Sequence, residues 1–485
     1  MAEHWANLDL HLDVNLDGAR LGRSLEEALR GAVRDGRLPA GTRLPSSRAL
    51  AADLGIARNT VGDAYAQLAA EGWLTARAGA GTWVTGPRDV TGRPPRPRLA
   101  GATGVAGRGV PRAVAGEPPA PACRYDLNAG VPDLAAFPRR EWLAAGRRAL
   151  AAAPDHVLGY PDPRGLARLR EALAGYIARS RGVAADPERI VVCGGFTQGL
   201  AVLAQALRGR GARAVAVESY GLPEHRAVVA GAGLRVSPLP VDGDGLVPGD
   251  AALAAAGAAL LTPAHQFPLG MTLAPHRRRL LAEWAAGTGA MLIEDDYDGE
   301  FRYDRHPVGA MQALAPDDVV YCGTASKALA PGLRLGWLAV PGRLLDDVVT
   351  AARLTGGGPD AVSQLTLAEF ITSGGYDRRV RHARLSYRRR RDQLVSALSQ
   401  RVPGVRVTGI AAGLHAVALL RPGQTEAGVT AAAAREDLSV MGLGHYSALE
   451  PDQGAPGLVI GYARPPQHAF VPALARLCAA LGYDK

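Results

Sequence analysis

From about Tyr125 onward, helical patterns alternate with short apolar runs, and this alternation constrains the fold more than any other feature of the 485-residue chain. The runs fall at 190–193, 214–217, 258–262, 290–294, 319–322 and 335–340, separated by segments with helical spacing such as 165–180. Four to six consecutive apolar residues suit a strand buried on both faces, so the pattern predicts a parallel sheet covered by helices, an α/β body. The Ala-rich run 251–260 reads as ordinary helix. After residue 360 come a long Arg-rich helix and a mixed segment ending in a helix near 470–481, which predicts a smaller α+β C-terminal subdomain.

Upstream the texture differs. Between Gly86 and Ala122, 15 of 37 residues are Gly or Pro, and six Arg face two acids with no apolar periodicity. That composition reads as an extended, flexible basic linker. The expected domains are therefore 1–85, the linker 86–122, a large domain 123–360 and a small subdomain 361–485.

Residues 1–85 show helical spacing at 25–35, about 47–54 and 57–71, then strand-like runs at 73–75 and 82–84 around a Gly-rich tip. This is the order of a winged helix-turn-helix. Ser46 or Ser47 serves as N-cap of the second helix, and a tight turn at Gly55 sends the third across it, as a major-groove reader requires. The first turn of the third helix carries Arg58, Asn59 and Thr60, suited to guanine or phosphate, adenine, and phosphate respectively. Arg43 is a further phosphate candidate. The region holds nine Arg against ten acids, so affinity for double-stranded DNA must rest on how charge is distributed, on the linker and on dimerisation.

Several classes are excluded. No apolar stretch of about 18 residues occurs that would span a bilayer as a helix. The N-terminus is polar and acidic where a signal peptide would be basic then apolar, which predicts a cytoplasmic protein. The four cysteines, at 123, 193, 322 and 478, form no Cys-x-x-Cys pair and suggest neither a disulfide framework nor a zinc site. Of 55 basic residues, 53 are Arg; the two lysines are Lys327 and the terminal Lys485. A guanidinium stays protonated, whereas a desolvated lysine offers a neutral amine to a carbonyl, so Lys327 reads as a Schiff-base lysine, with chance survival of one Lys as the alternative.

The stretch 38–48, Leu-Pro-Ala-Gly-Thr-Arg-Leu-Pro-Ser-Ser-Arg, followed by 58–74, beginning Arg-Asn-Thr-Val-Gly-Asp-Ala-Tyr, resembles the DNA-binding domain of GntR-type regulators. The resemblance implies DNA contacts at Arg48, Arg58, Asn59, Thr60 and the wing-tip Gly79. The segment 321–336, Tyr-Cys-Gly-Thr-Ala-Ser-Lys-Ala-Leu-Ala-Pro-Gly-Leu-Arg-Leu-Gly, resembles the cofactor-lysine loop of fold-type I aminotransferases. Together these make the chain similar to MocR-type regulators from about residue 20 to the C-terminus.

That resemblance implies pyridoxal 5'-phosphate (PLP) on Lys327, with Arg334 and Ser326 on its phosphate, Phe196 and Thr197 in the phosphate-binding turn, and Tyr160 reaching the phosphate from the other subunit of a homodimer. Asp295, after the strand at 290–294, implies a partner for the pyridine nitrogen, and Tyr297 for the ring oxygen; Asp295 and Tyr297 are two apart on an extended segment and so share a face. His265 and Gln266 line the same crevice by resemblance. The sequence departs from the pattern at 218–226, where relatives show Pro-Gly-Tyr and this chain has Leu222 and Glu224. Tyr220 then becomes a candidate for stacking on the ring and Arg226 for an effector anion, with Arg464 as a second carboxylate candidate. From Arg378 to Arg391 eight of fourteen residues are Arg, either a solvated helix face or a contact with DNA or the second subunit.

Two functions follow. One is a transcription regulator that senses PLP, or an amine reacting with it, with little or no transaminase turnover. The other is a working aminotransferase with a DNA-binding appendage. A cofactor-free dimerisation scaffold is a third, blander possibility.

Overall fold

The computed structural model describes residues 21–34, 38–39, 41–70, 74–77, 81–84, 123–249, 251–303, 309–449 and 454–482. Gly79 and the segment expected as a linker, 86–122, lie outside the described residues. The chain divides into two compact units, residues 1–107 and 108–485.

In the first unit, α1 (Leu21–Arg34), α2 (Ser47–Leu54) and α3 (Arg58–Ala70) precede a hairpin of β1 (Leu74–Arg77) and β2 (Gly81–Val84). Ser46, in extended backbone, accepts from the Ala49 amide at 3.1 Å and so starts α2. Gly55 ends it at φ 65°, a left-handed turn that glycine adopts without strain. The core is small: Leu25, Leu29 and Ala32 of α1 pack with Leu50 of α2 and with Val61, Ala64 and Leu68 of α3, all at helical spacing. Tyr65 Oη donates to Pro45 O at 3.0 Å and ties α3 to the preceding turn. The segment 41–44 adds to the wing through Gly41 N to Val84 O, Val84 N to Thr42 O and Leu44 N to Thr82 O.

The second unit is built on a seven-stranded sheet. Its strands are β3 (Ile190–Cys193), β4 (Ala214–Glu218), β5 (Arg235–Leu239), β6 (Ala258–Leu261), β7 (Met291–Asp295), β8 (Val319–Thr324) and β9 (Gly336–Ala339), in the order β3-β9-β8-β7-β6-β4-β5. All pairings are parallel except those of β9, which runs antiparallel to both β8 and β3. The expectation of a parallel sheet is corrected there. Only residues 325–335 separate β8 from β9, short of the dozen or more that a parallel crossover takes. Every residue of the strands other than β5 is buried, as their continuous apolar character requires. Helix forms only at Ala251–Ala254 within the Ala-rich run, because the residues from Ala258 belong to β6.

A second, four-stranded antiparallel sheet joins Arg406–Thr408, Ala416–Leu419, Gly457–Ile460 and Met441–Gly442, flanked by the helices Glu426–Arg435 and Gln467–Ala480. Tyr125–Asp126 pairs in parallel with Leu438–Ser439, so this short strand lies against the C-terminal part. The Arg-rich segment lies on the 27-residue helix Gly375–Arg401 and divides by face. Arg379 and Arg390 are buried: Arg390 Nη1 donates to the carbonyls of Ala463 and Pro465, and its Nη2 meets Asp133 Oδ2 at 2.9 Å. Arg378, Arg381, Arg388 and Arg389 face solvent. Among the described residues no helix is long and apolar enough to cross a membrane.

Candidate functional site

The loops at the carboxyl ends of β4, β6, β7 and β8 meet over a cavity of about 250 Å³, at the edge where α/β sheets present ligand-binding residues. Lys327 lines it, three residues beyond β8. Its Nζ donates to the carbonyl oxygen of Gly130 at 2.6 Å. Burial pulls its pKa below the usual lysine range, with Asp295 and Asp298 acting in the opposite direction.

Asp295 ends β7 and is buried; its Oδ1 has no hydrogen-bond partner. Burial holds its pKa well above the ordinary carboxylate range, although the Lys327 charge works against that. A buried acceptor without a donor is costly, and it is the kind of vacancy that a ligand N–H relieves. Tyr297 lines the same cavity, as the two-residue spacing predicts. Its Oη lies 3.0 Å from His265 Nδ1, which in turn is 2.8 Å from Asp298 Oδ2. His265 is thus placed behind Tyr297 rather than on the cavity wall, with Nδ1 engaged by the phenol and the carboxylate. A Cβ at Gly413, where φ is 75°, would lie 2.4 Å from His265 Cε1 and 2.5 Å from Asp298 Oδ2, so glycine is needed for this stack to close. Gln266 Nε2 donates to the carbonyls of Tyr220 and Phe267, which makes it a brace for the 219–222 segment.

At the other end, the helix Phe196–Gly209 starts after Gly195, in a left-handed conformation and with no side-chain cap. Its first amides therefore remain an anion-binding end. A Cβ on Gly195 would lie 3.6 Å from Arg334 Nη1, so the guanidinium sits close against this turn. Arg334 itself has φ 53°, a left-handed geometry rare outside glycine and asparagine, which points to a position fixed by function rather than by propensity. Phe196, Thr197, Ser326 and Arg334 all line the cavity. Tyr160 is fully exposed and lies outside the cavity of its own chain.

Of the two carboxylate candidates, Arg226 lines the cavity but donates to Gly221 O, Tyr446 O and Ser447 O. Arg464 does not line it: its Nη2 pairs with Asp126 Oδ2 at 2.7 Å beside a second cavity. Tyr220 and Leu222 both contribute to the wall. Four wall residues carry no local sequence signal. Glu218 is pushed up to about 7 by burial and accepts from Thr262 N and Oγ1. Burial pulls His225 and His415 down to about 3, so both are neutral imidazoles. Gly130 lines the cavity and accepts from Lys327 through its carbonyl oxygen.

These residues fit PLP: an amine for its aldehyde, a buried acid lacking a donor for its ring nitrogen, a phenol for its ring oxygen, and a guanidinium beside uncapped helix amides for its phosphate.

On the first unit, Arg58 and Asn59 are exposed at the start of α3, Thr60 is half-buried beside them, and Arg48 is exposed on α2. The Arg43 guanidinium lies 5.8 Å from the Trp83 ring centroid, held over the wing strand β2.

Residues 21–84 match the bacterial regulatory proteins of the gntR family, and residues 125–442 match aminotransferase class I and II, a PLP-dependent family. The chain is 36% identical to the HTH-type pyridoxine biosynthesis transcriptional regulator PdxR of Corynebacterium glutamicum, over 87% of this chain and 88% of that protein. It is also 36% identical to the probable rhizopine catabolism regulatory protein MocR of Rhizobium meliloti, over 77% and 76% of the two chains. Among solved structures it resembles an archaeal alanine:glyoxylate aminotransferase, with a TM-score of 0.66, 24% identity, and coverage of 73% of this chain and 90% of that one; this likeness concerns the fold. With a helix-turn-helix at 21–84, an aminotransferase fold behind it and relatives of the same composite length, the chain belongs to the GntR family of DNA-binding transcription regulators and, within it, to the MocR type.

Proposed function

We propose that this regulator reports the occupancy of the Lys327 cavity to its DNA-binding unit, the signal being PLP or an amine that reacts with it. One observation carries the proposal: a chain with a helix-turn-helix also keeps a half-buried lysine in one cavity with an unpartnered buried acid, Asp295, and a guanidinium at an uncapped helix start, Arg334. When bound, PLP supplies an aldehyde that condenses with a primary amine and a pyridine ring that withdraws electrons. Lys327 is the resident amine, and its burial raises the neutral fraction that can react. Asp295 would hold the ring nitrogen, and Tyr297, oriented by His265, the ring oxygen. Arg334, Ser326, Thr197 and the Phe196 turn would hold the phosphate, with Tyr160 supplied by the second copy of a homodimer.

Transmission follows from the wall of the cavity. The segment 219–226 is tied to the C-terminal lobe by Gly221 N to Tyr446 O at 2.9 Å, by Ala448 N to Ser219 O at 2.7 Å and by Arg226. A ligand that displaces this wall moves the lobe with it, and a difference in ligand affinity between the two arrangements becomes a difference in DNA affinity. The relatives are regulators by name, which favours sensing over turnover. The protein would act in the cytoplasm on an operator near its own coding region.

The test is operator binding by fluorescence anisotropy, on DNA from the upstream region of this chain's own coding sequence, with and without PLP. The apparent affinity of the wild type should change at least severalfold with PLP, and that of Lys327→Ala should not. Equal responses from the two proteins would defeat the proposal. Steady transamination at about 1–10³ per second would instead indicate a working enzyme.

A further inference from the structure

We infer that the amine admitted to the Lys327 cavity carries no carboxylate, and that Asp126 enforces this by holding Arg464 outside; the inference rests on the sensing function proposed above. A buried carboxylate needs a cation that is free to meet it. Among the described residues the cavity wall offers three. Lys327 is the amine reserved for the aldehyde. Arg334 lies against the Gly195 turn, where the phosphate belongs. Arg226 spends Nη1 on Gly221 O and Tyr446 O, and Nη2 on Ser447 O, bonds that hold two chain segments together. The other ionisable groups on the wall give a carboxylate no positive charge: Asp295 and Glu218 are acids, and His225 and His415 are neutral imidazoles.

Arg464, which follows the strand Gly457–Ile460, is the further candidate cation, and it is bound beside a second cavity. Its Nη2 meets Asp126 Oδ2 at 2.7 Å. The Asp126 carboxylate is itself oriented, because its other oxygen accepts from the Asn128 amide at 2.8 Å. The backbone on either side of Arg464 is pinned as well: buried Arg390 donates to Ala463 O at 2.9 Å and to Pro465 O at 2.7 Å. Only the Arg464 side chain is left to turn, and Asp126 determines which way. The pair is one-third exposed, so it sets a preference of finite size rather than an absolute bar. Asp126 is thus a specificity-determining residue that selects amines over amino acids.

Ethylamine and L-alanine share a carbon skeleton and differ by the carboxylate, which makes them matched probes. The full-length protein, loaded with PLP, is titrated with each while the visible absorbance of the bound cofactor is followed. The wild type should respond to ethylamine at a concentration at least tenfold lower than to L-alanine, although the less basic amine of L-alanine is the more available near neutral pH. Asp126→Asn should narrow that ratio about two- to fivefold, the scale of a partly exposed ion pair, and the added Arg464→Ala should restore it. A wild type that responds to L-alanine as readily as to ethylamine overturns the inference without any variant, and so does an unchanged ratio in folded Asp126→Asn. Lack of a cofactor absorbance that depends on Lys327 marks a different failure, that of the sensing function itself, and the inference falls with it.

Discussion

Lys327 Nζ donates to the carbonyl oxygen of Gly130, and this bond joins the loop after β8 to the turn at the start of the second unit. The resident amine is therefore held by a backbone carbonyl, and it is burial, working against the charges of Asp295 and Asp298, that draws its pKa down. Lys327→Arg keeps a long cationic donor but cannot condense with an aldehyde. PLP-dependent absorbance, and mass added at this position after borohydride reduction, should vanish in both Lys327→Arg and Lys327→Ala. Melting temperatures should stay within a few degrees of the wild-type apoprotein. A cofactor found attached elsewhere in the reduced wild type would remove the basis for every ligand role assigned to the cavity.

Asp295 should separate cofactor affinity from stability. Asp295→Asn keeps the shape but replaces the acceptor aimed at the ring nitrogen with a poorer one. PLP should bind at least tenfold more weakly, about 1.4 kcal/mol, as measured by fluorescence titration. The apoprotein should be no less stable, because a buried acid without a donor has been removed.

The pH dependence of the apoprotein has a defined sign. Burial pushes Glu218 up to about 7, whereas an unfolded chain releases that proton near pH 4.3. Between about pH 4.5 and 7 the folded protein keeps a proton that the unfolded chain has lost, so stability falls as pH rises through this window. Glu218→Gln should flatten the decline, by up to roughly 3 kcal/mol across the window. Urea denaturation at pH 5 and pH 7 is the measurement; an unchanged slope in the variant would show that Glu218 is not the titrating group.

On the first unit, Arg58→Ala and Asn59→Ala should leave folding intact, since both side chains are exposed. Each should weaken operator binding about 10- to 100-fold, the scale of a lost groove contact. If Arg58 contacts phosphate, the slope of log affinity against log salt should also fall by about one in its variant. Binding that is indifferent to both substitutions would move the DNA-reading surface away from α3.

Arg390→Ala should be the most damaging single change in the C-terminal lobe. It strands Asp133, which is buried beside it, and frees the carbonyls of Ala463 and Pro465. A loss of about 3–5 kcal/mol is expected from the broken buried pair, read as the denaturation midpoint of the second unit.

What could be read from the chain was mostly local. The Ser46 cap, the Gly55 turn and the strand 190–193 each depend on a few adjacent residues, and each stands where it was expected. β5 was not legible: Arg235, Ser237 and Pro238 interrupt the apolar pattern because it is an edge strand. The reversed direction of β9 followed from connection length rather than from composition. The Arg run could not be divided in advance, because arginines occupy both faces of one helix and only packing distinguishes Arg390 from Arg389. Lys327 stood out through composition, whereas Gly130, Glu218, His225 and His415 reach the cavity from separate parts of the chain, Glu218 at the end of β4 and His225 on the helix Pro223–Gly231. Arg464 was visible as an arginine, but its partner Asp126 was not, since nothing local links them.

Thr324, the last residue of β8, is paired directly with Gly336, the first of β9. Lys327 and Arg334 therefore ride on a loop of eleven residues that leaves and re-enters the sheet at a single rung. Such a closed cassette sets the spacing between the reactive amine and the phosphate-binding cation by its own length. One residue inserted between Leu329 and Leu333 would detune that spacing while the strands on either side kept their register.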